Sequence, residues 1–176
     1  MTDNERLAEL LFPNISWTPQ QYEEQYPARQ LPEGARVTRF SPSPTGYLHI
    51  GGLFAAMTAR LTAKATSGVF FLRIEDTDKK REVEGGVTAI VTGLAAFGIT
   101  PDEGITGLGT ESGVYGPYQQ SKRREIYQCF AKELVRQGLA YPCFCTEAEL
   151  TALREQQEAQ AVNKGYYGEW AACRNL

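Results

Sequence analysis

The apolar positions of this chain change period several times. "NERLAELLF" has helical spacing, with Asp3 or Asn4 as its N-cap. Residues 13–35 break that spacing with Pro13, Pro19, Pro27 and Pro32 set among polar and aromatic residues, which predicts an extended arm packed on the body. "ARVTRFS" then reads as a strand. The helix "GLFAAMTARLTAKATSG" follows, with Leu53, Met57 and Leu61 four apart and Gly68 at its end. "VFFLRIE" has four consecutive apolar residues, the mark of a strand buried on both faces of a parallel sheet. "VTAIVTGLAAFG" returns to helical spacing through Val87, Ile90, Val91, Leu94 and Phe97. Strand, helix, strand, helix is a βαβ order, so the fold class is α/β with a parallel sheet and right-handed crossovers.

The second half is less regular. Residues 100–120 are rich in glycine and read as loop. Ser121 is placed to cap "KRREIYQCFAKELVRQG", whose stripe is Ile126, Phe130 and Leu134 and whose stop is Gly138. After "LAYPCFC" a last, strongly polar helix opens with a capping box of Thr146 and Glu149, and its polarity sends it into solvent. Only two parallel strands are readable in this pattern, fewer than a doubly wound sheet needs, which suggests the front part of a larger fold.

Composition narrows the options. The chain has 176 residues, 42% of them hydrophobic, enough for a real core. Its net charge of −3 requires any basic, nucleic-acid-facing surface to be local. No run approaches the ~18 apolar residues of a membrane span. "MTDNERLAELLF" lacks the order of a signal peptide. Without such a leader, Cys129, Cys143, Cys145 and Cys173 suggest a reducing, cytoplasmic setting and a core, metal or redox role. Cys129 lies on the stripe side of its helix and reads as core.

The candidate chemistry sits in "RFSPSPTGYLHIGG", residues 39–52. A strand delivers its carboxyl end to a proline loop. That loop delivers the chain's single histidine, His49, to the start of a helix opened by Gly51 and Gly52. Ligands bind beyond the carboxyl ends of strands in such sheets. A helix N-terminus attracts phosphate, and glycines let a flat group lie on the backbone. The same stretch is also compatible with an ordinary tight turn holding a satisfied histidine.

"RFSPSPTGYLHIGG" resembles the first signature of class I aminoacyl-tRNA synthetases in its glutamyl form. "FLRIEDTDKKREVEGG" (71–86) and "YGPYQQSKRREIY" (115–127) match two further blocks of that family in order. Related glutaminyl enzymes tend to read Pro-Glu-Pro-Asn where this chain reads Ser41-Pro42-Ser43-Pro44-Thr45. They tend to read Phe-Asp-Asp-Thr at Ile74-Glu75-Asp76-Thr77. Both departures favour the glutamyl side.

The resemblance implies a Rossmann-like catalytic domain, divided into an arm (1–35), the first half of that domain (36–114), and a connecting helix leading to an acceptor-binding insertion (115–176). It implies ATP with Mg2+, L-glutamate and tRNA(Glu) as ligands, no membrane, and a monomeric full-length form. Arg39 would face the side-chain carboxylate of glutamate, with Ser41 and Ser43 adding hydrogen bonds and Glu75 taking the α-ammonium. Thr45, His49, Gly51 and Gly52 would hold ATP. Asp78, Arg81, Ser121 and Arg124 would meet tRNA. Cys143, Cys145 and Cys173 match a zinc arm in many such enzymes, with Tyr166 or Tyr167 as the fourth ligand. The lysine-bearing second signature is not found in these residues, so the resemblance implies an N-terminal part, inactive alone. Two other readings stay open: a short paralogue that glutamylates a modified tRNA base, and a non-catalytic tRNA- or nucleotide-binding module.

Overall fold

A computed structural model describes residues 1–175. The chain divides into two units: Trp17–Cys129, and Met1–Ser16 together with the segment from Phe130 onward.

In the first unit, β1 (Val37–Phe40), α3 (Ile50–Ala65), β2 (Val69–Leu72), α4 (Gly86–Ala96), β3 (Glu103–Gly107) and β4 (Thr110–Ser112) succeed one another. They form one sheet in the order β1-β2-β3-β4. β1, β2 and β3 are parallel, in the register Val37↔Val69 and Phe71↔Glu103; β4 is antiparallel to β3. The βαβ reading therefore holds and extends to a third parallel strand. Apolar residues of α3 and α4, including Ala56, Ala63, Ile90 and Leu94, pack with Phe70, Leu72 and Ile74 of the sheet.

The stretch at 100–120 is not all loop: it contains β3 and β4. The glycines that suggest a loop have another cause. A Cβ on Gly104 would stand 2.1 Å from the Leu72 carbonyl oxygen, so glycine is required there for strand contact, not for a turn.

The arm is not wholly extended either. It contains α2 (Pro19–Gln25), with Thr18 and Gln21 forming a capping box and Pro19 in the first turn. Proline at that position starts a helix because its missing N–H is not needed.

The expected apolar stripes hold in part: Leu53 and Met57 of α3 and Val91 of α4 are half-buried against the core. On α3 the buried residues are Ala56 and Ala63, while Leu61 is exposed. On α4 Val87, Ile90 and Leu94 are buried, but Phe97 lies at the end, exposed.

Helix α5 (Arg124–Arg136) follows a 3-10 turn at Gln120–Arg123. Ser121 thus does not cap it; its hydroxyl is engaged elsewhere. The buried residues of α5 are Cys129 and Val135, whereas Phe130 and Leu134 are 40% and 45% exposed. Cys129 is core as expected, and its Sγ donates to the Trp17 carbonyl.

In the second unit, α1 (Asp3–Leu11) is capped by Thr2 with Glu5, one position before the expected cap. Thr2 supplies the hydroxyl that Glu5 N–H needs. Lys132 bridges Glu9 and the Ile15 carbonyl. Helix α6 (Glu147–Ala159) has the expected Thr146–Glu149 capping box and is largely exposed. Its buried Gln157 closes the following loop through two bonds with the Gly165 backbone.

Candidate active site

The parallel strands deliver their carboxyl ends to one side of the sheet. β1 ends in Phe40 and the loop Ser41–His49; β2 runs on into Arg73, Ile74 and Glu75. Backbone bonds tie the two. Arg73 N–H donates to the Phe40 carbonyl, Glu75 N–H to that of Pro42, and Val83 N–H to that of Pro44. Pro44 is buried, and the start of α4 approaches it closely: a Cβ on Gly86 would stand 2.9 Å from the Pro44 carbonyl oxygen. The proline loop is therefore held on both flanks.

That loop walls a cavity of about 430 Å³ lined by Ser43, Thr45, Leu48, His49 and Gly52 among others. His49 occupies the N-cap position of α3 but makes no capping bond, so its imidazole is not consumed by the helix. Gly51 and Gly52 first make room for the chain's own side chains. A Cβ on Gly51 would stand 3.1 Å from the His49 ring, and one on Gly52 would stand 2.9 Å from Leu48 Cδ1. The first N–H groups of α3 lack intrahelical partners, and such a helix start favours phosphate.

Beside this cavity is a charged cluster. Arg39 and Glu75, from adjacent strands, stand 3.9 Å apart. Arg73 Nη2 lies 2.9 Å from the same Glu75 Oε1. The Arg39 side chain is 40% exposed, so the pair is open to exchange partners. Ser41 follows β1 directly, half-buried beside this cluster in the chain.

A residue the sequence reading leaves without a role anchors the next segment. Asp76 is buried. It accepts from the Ser121 hydroxyl (2.6 Å) and N–H (2.9 Å), from Gln119 Nε2 (2.8 Å) and from Lys79 (3.2 Å). Burial alone would raise its carboxyl pKa; the bonds from Ser121, Gln119 and Lys79 outweigh it and bring it down to about 2. This is where the Ser121 hydroxyl goes. A carboxylate one residue past a strand-end glutamate was the available signal.

Two of the three basic residues at 79–81 are neutralised by nearby carboxylates. Arg81 pairs with Asp78, and Lys79 with Asp76 and Glu82. Arg124 is exposed at the first residue of α5 and has no hydrogen-bond or ion-pair partner among the described residues. The structure brings Ser121 to Asp76, not to Asp78 and Arg81.

Within the second unit, Cys143, Cys145 and Cys173 bring their Sγ atoms within 4.8 Å of one another. Cys145 and Cys173 Sγ are 3.6 Å apart, and Tyr166 Oη is 3.6 Å from Cys145 Sγ. A tetrahedral zinc with Zn–S bonds of about 2.3 Å needs sulfurs about 3.8 Å apart, which the Cys145–Cys173 pair meets. The Tyr166 hydroxyl and the Phe144 N–H pull the Cys173 thiol down to about 7, toward the metal-binding thiolate.

A mainly parallel sheet whose first strand leads through the proline loop and the start of α3 around one cavity defines an α/β protein of the Rossmann-like type. The comparisons narrow it further. Residues 36–174 match the model of tRNA synthetases class I (E and Q), catalytic domain, and the chain belongs to that family. It is 54% identical over 172 residues to a glutamate–tRNA ligase of Clostridium perfringens, covering 98% of this chain and 32% of that protein. It is 53% identical to one of Acetivibrio thermocellus, covering 99% and 32%. The crystal structure of the glutamate-tRNA synthetase of Elizabethkingia anophelis matches with a TM-score of 0.63 at 43% identity, over 74% of this chain and 25% of that one. The chain thus spans about a third of the length of these curated relatives. Among the described residues no helix is long and apolar enough to cross a membrane.

Proposed function

We propose that these residues form the amino-acid and ATP-binding part of a cytoplasmic glutamate–tRNA ligase that acts as a monomer. The carrying observation is the opposed pair Arg39 and Glu75 at neighbouring strand ends, beside the cavity walled by the proline loop. The names of the relatives support the ligase reading over the short paralogue and the binding module.

Glutamate carries a side-chain carboxylate and an α-ammonium. Arg39 offers the first a guanidinium fork, and Glu75 offers the second a carboxylate held by Arg73. Ser41 and Ser43 add hydroxyl donors near the same strand end. Thr45, His49 and the N–H groups at Gly51 and Gly52 hold the triphosphate of ATP. An oxygen of the α-carboxylate attacks the α-phosphorus, a P–O bond breaks, and pyrophosphate leaves with its electron pair. His49 and the helix start stabilise charge on the α-phosphate as this happens. Mg2+, when bound with ATP, neutralises phosphate charge. The 3′ hydroxyl of tRNA(Glu) then attacks the glutamyl carbonyl and releases AMP, the tRNA end being met by Arg124 and, once their mutual pair opens, Asp78 and Arg81, while Ser121 acts through Asp76. No side chain bonds covalently to substrate; the protein orients and stabilises charge. Cys143, Cys145, Cys173 and Tyr166 would hold a structural zinc, which would cross-link residues 143–173.

The test is glutamate-dependent ATP–pyrophosphate exchange, with tRNA(Glu) present, in the full-length protein carrying Arg39→Ala. Losing a desolvated charged partner costs about 2–5 kcal/mol. With Arg39 40% exposed, the low end applies, about 30-fold in glutamate kcat/KM. The KM for ATP stays unchanged. Unaltered glutamate kinetics would overturn the assignment.

A further inference from the structure

The family's catalytic model begins at residue 36, yet the arm before it is fastened to the sheet by a polar chain that leads to Glu75. Arg29 grips Glu103 of β3 in a fork, Nη1 to Oε1 at 2.5 Å and Nη2 to Oε2 at 2.6 Å. Each side chain is only 16% exposed. The Arg29 guanidinium lies 3.7 Å over the Tyr115 ring, and the Tyr115 hydroxyl donates to the Pro27 carbonyl of the arm. Glu103 Oε2 also accepts from the Tyr118 hydroxyl at 2.6 Å. Burial and that carboxylate push the Tyr118 hydroxyl pKa up to about 12, so it stays a donor.

From Tyr118 the chain reaches the amino-acid site by backbone. The Tyr118 carbonyl accepts from Ile74 N–H (3.0 Å), and Gln120 N–H donates back to the Ile74 carbonyl (2.8 Å). Gln119 and Ser121 then hold Asp76. Both neighbours of Glu75 are thereby bonded to the segment that Tyr118 anchors. Arg73 also lies close to this chain. Arg73, which holds the Glu75 carboxylate, lines with Arg29, Tyr115 and Tyr118 a cavity of about 210 Å³, where its own Nε is buried without a partner.

We propose that Arg29 is a positioning residue of the amino-acid site: by fixing Glu103 and Tyr118 from the arm, it fixes where the Glu75 carboxylate stands. This rests on the reading of Glu75 as the partner of the substrate ammonium. A guanidinium fork suits the task because it holds both carboxylate oxygens in one plane, which an ammonium cannot do. Small displacements at a substrate-orienting group are expensive in rate.

The experiment uses the full-length protein with Arg29→Gln, Arg29→Lys, Glu103→Gln and the Arg29→Gln/Glu103→Gln pair. Pyrophosphate exchange gives separate KM values for glutamate and ATP, and hydrogen exchange reports the Ile74 and Gln120 amides. Arg29→Gln is expected to raise the glutamate KM about tenfold, leave the ATP KM within about twofold, and speed exchange at both amides. Arg29→Lys recovers part of the loss. In the Glu103→Gln background, Arg29→Gln adds little, because the two act through one contact. If Arg29→Gln fails to fold, Arg29→Lys carries the same comparison. The proposal is overturned if the glutamate KM does not move, if both KM values rise together, or if the two amides keep their protection. Wild-type protein without glutamate-dependent exchange, assayed with tRNA(Glu) present, would refute the functional reading instead. Amide protection in the variants would then decide alone whether Arg29 governs the segment around Glu75.

Discussion

Replacing Asp76 by Asn tests whether the segment after β2 is held by charge or merely by shape. Asn keeps the size of the side chain and one acceptor oxygen. It replaces the other oxygen by an NH2 group, and Asp76 is surrounded by donors: the Ser121 N–H, the Ser121 hydroxyl, Gln119 Nε2 and Lys79. One of them must then face a donor. The carboxyl pKa falls from an ordinary 3.8 to about 2 in the folded chain. At 1.36 kcal/mol per pKa unit, the folded state favours the charged form by about 2 kcal/mol. At roughly 2–4 °C per kcal/mol for a chain of this size, Tm should fall about 4–8 °C at pH 7.

The pH dependence has a definite sign. A carboxyl depressed on folding contributes stability that is complete above its unfolded pKa and is lost as pH falls through its folded one. Urea unfolding of wild type and Asp76→Asn should therefore show a constant gap above about pH 5. The gap should close between about pH 4 and pH 2. A gap that is absent at pH 7, or that persists unchanged into acid, would refute the argument that the charge does the holding.

Gly68→Ala places a Cβ 1.9 Å from the Arg36 carbonyl oxygen, a backbone atom that cannot step aside; chemical denaturation should show a loss of about 1–3 kcal/mol or more. Metal analysis of protein prepared under reducing, zinc-replete conditions should find at most one zinc per chain, and the double variant Cys143→Ser, Cys145→Ser should lose it. Zinc retained by that variant would place the metal elsewhere.

What the sequence made readable follows from the range of the interactions. The βαβ order, the proline loop and the Thr146–Glu149 box depend on neighbours a few residues apart, and all three are found. The grouping of Cys143 and Cys145 with Cys173 came only from family resemblance, because nothing local joins residues so far apart. β3 was hidden because Gly104 serves a close strand contact and not a turn. α2 was hidden because Pro19 starts a helix inside a proline-rich stretch. Ser121 has the residue type of a cap, and what overrides it is a carboxylate 45 positions earlier. Arg29 and Glu103 meet across 74 positions, with no pattern in either segment to announce it.

If Arg39 and Glu75 bind the substrate as proposed, their arrangement sets which amino acid is accepted. In the structure the two charges face each other at 3.9 Å, a loose contact, while Glu75 is held more closely by Arg73. An amino acid entering between them would replace that contact with two better ones only if it carries both an ammonium and a side-chain carboxylate. Glutamine carries the first and not the second. It leaves Arg39 facing an amide, so its deficit falls on Arg39 alone. Glu75→Gln should therefore weaken glutamate and glutamine alike, whereas Arg39→Ala should weaken glutamate and hardly touch glutamine, narrowing the ratio of their kcat/KM values. Because Arg39 is 40% exposed, solvent screens part of its charge and the narrowing should be about 10- to 100-fold. Pyrophosphate exchange with each amino acid measures the ratio. If Arg39→Ala leaves that ratio where it was, Arg39 does not read the side chain, and the selectivity must come from residues outside the cluster at β1 and β2.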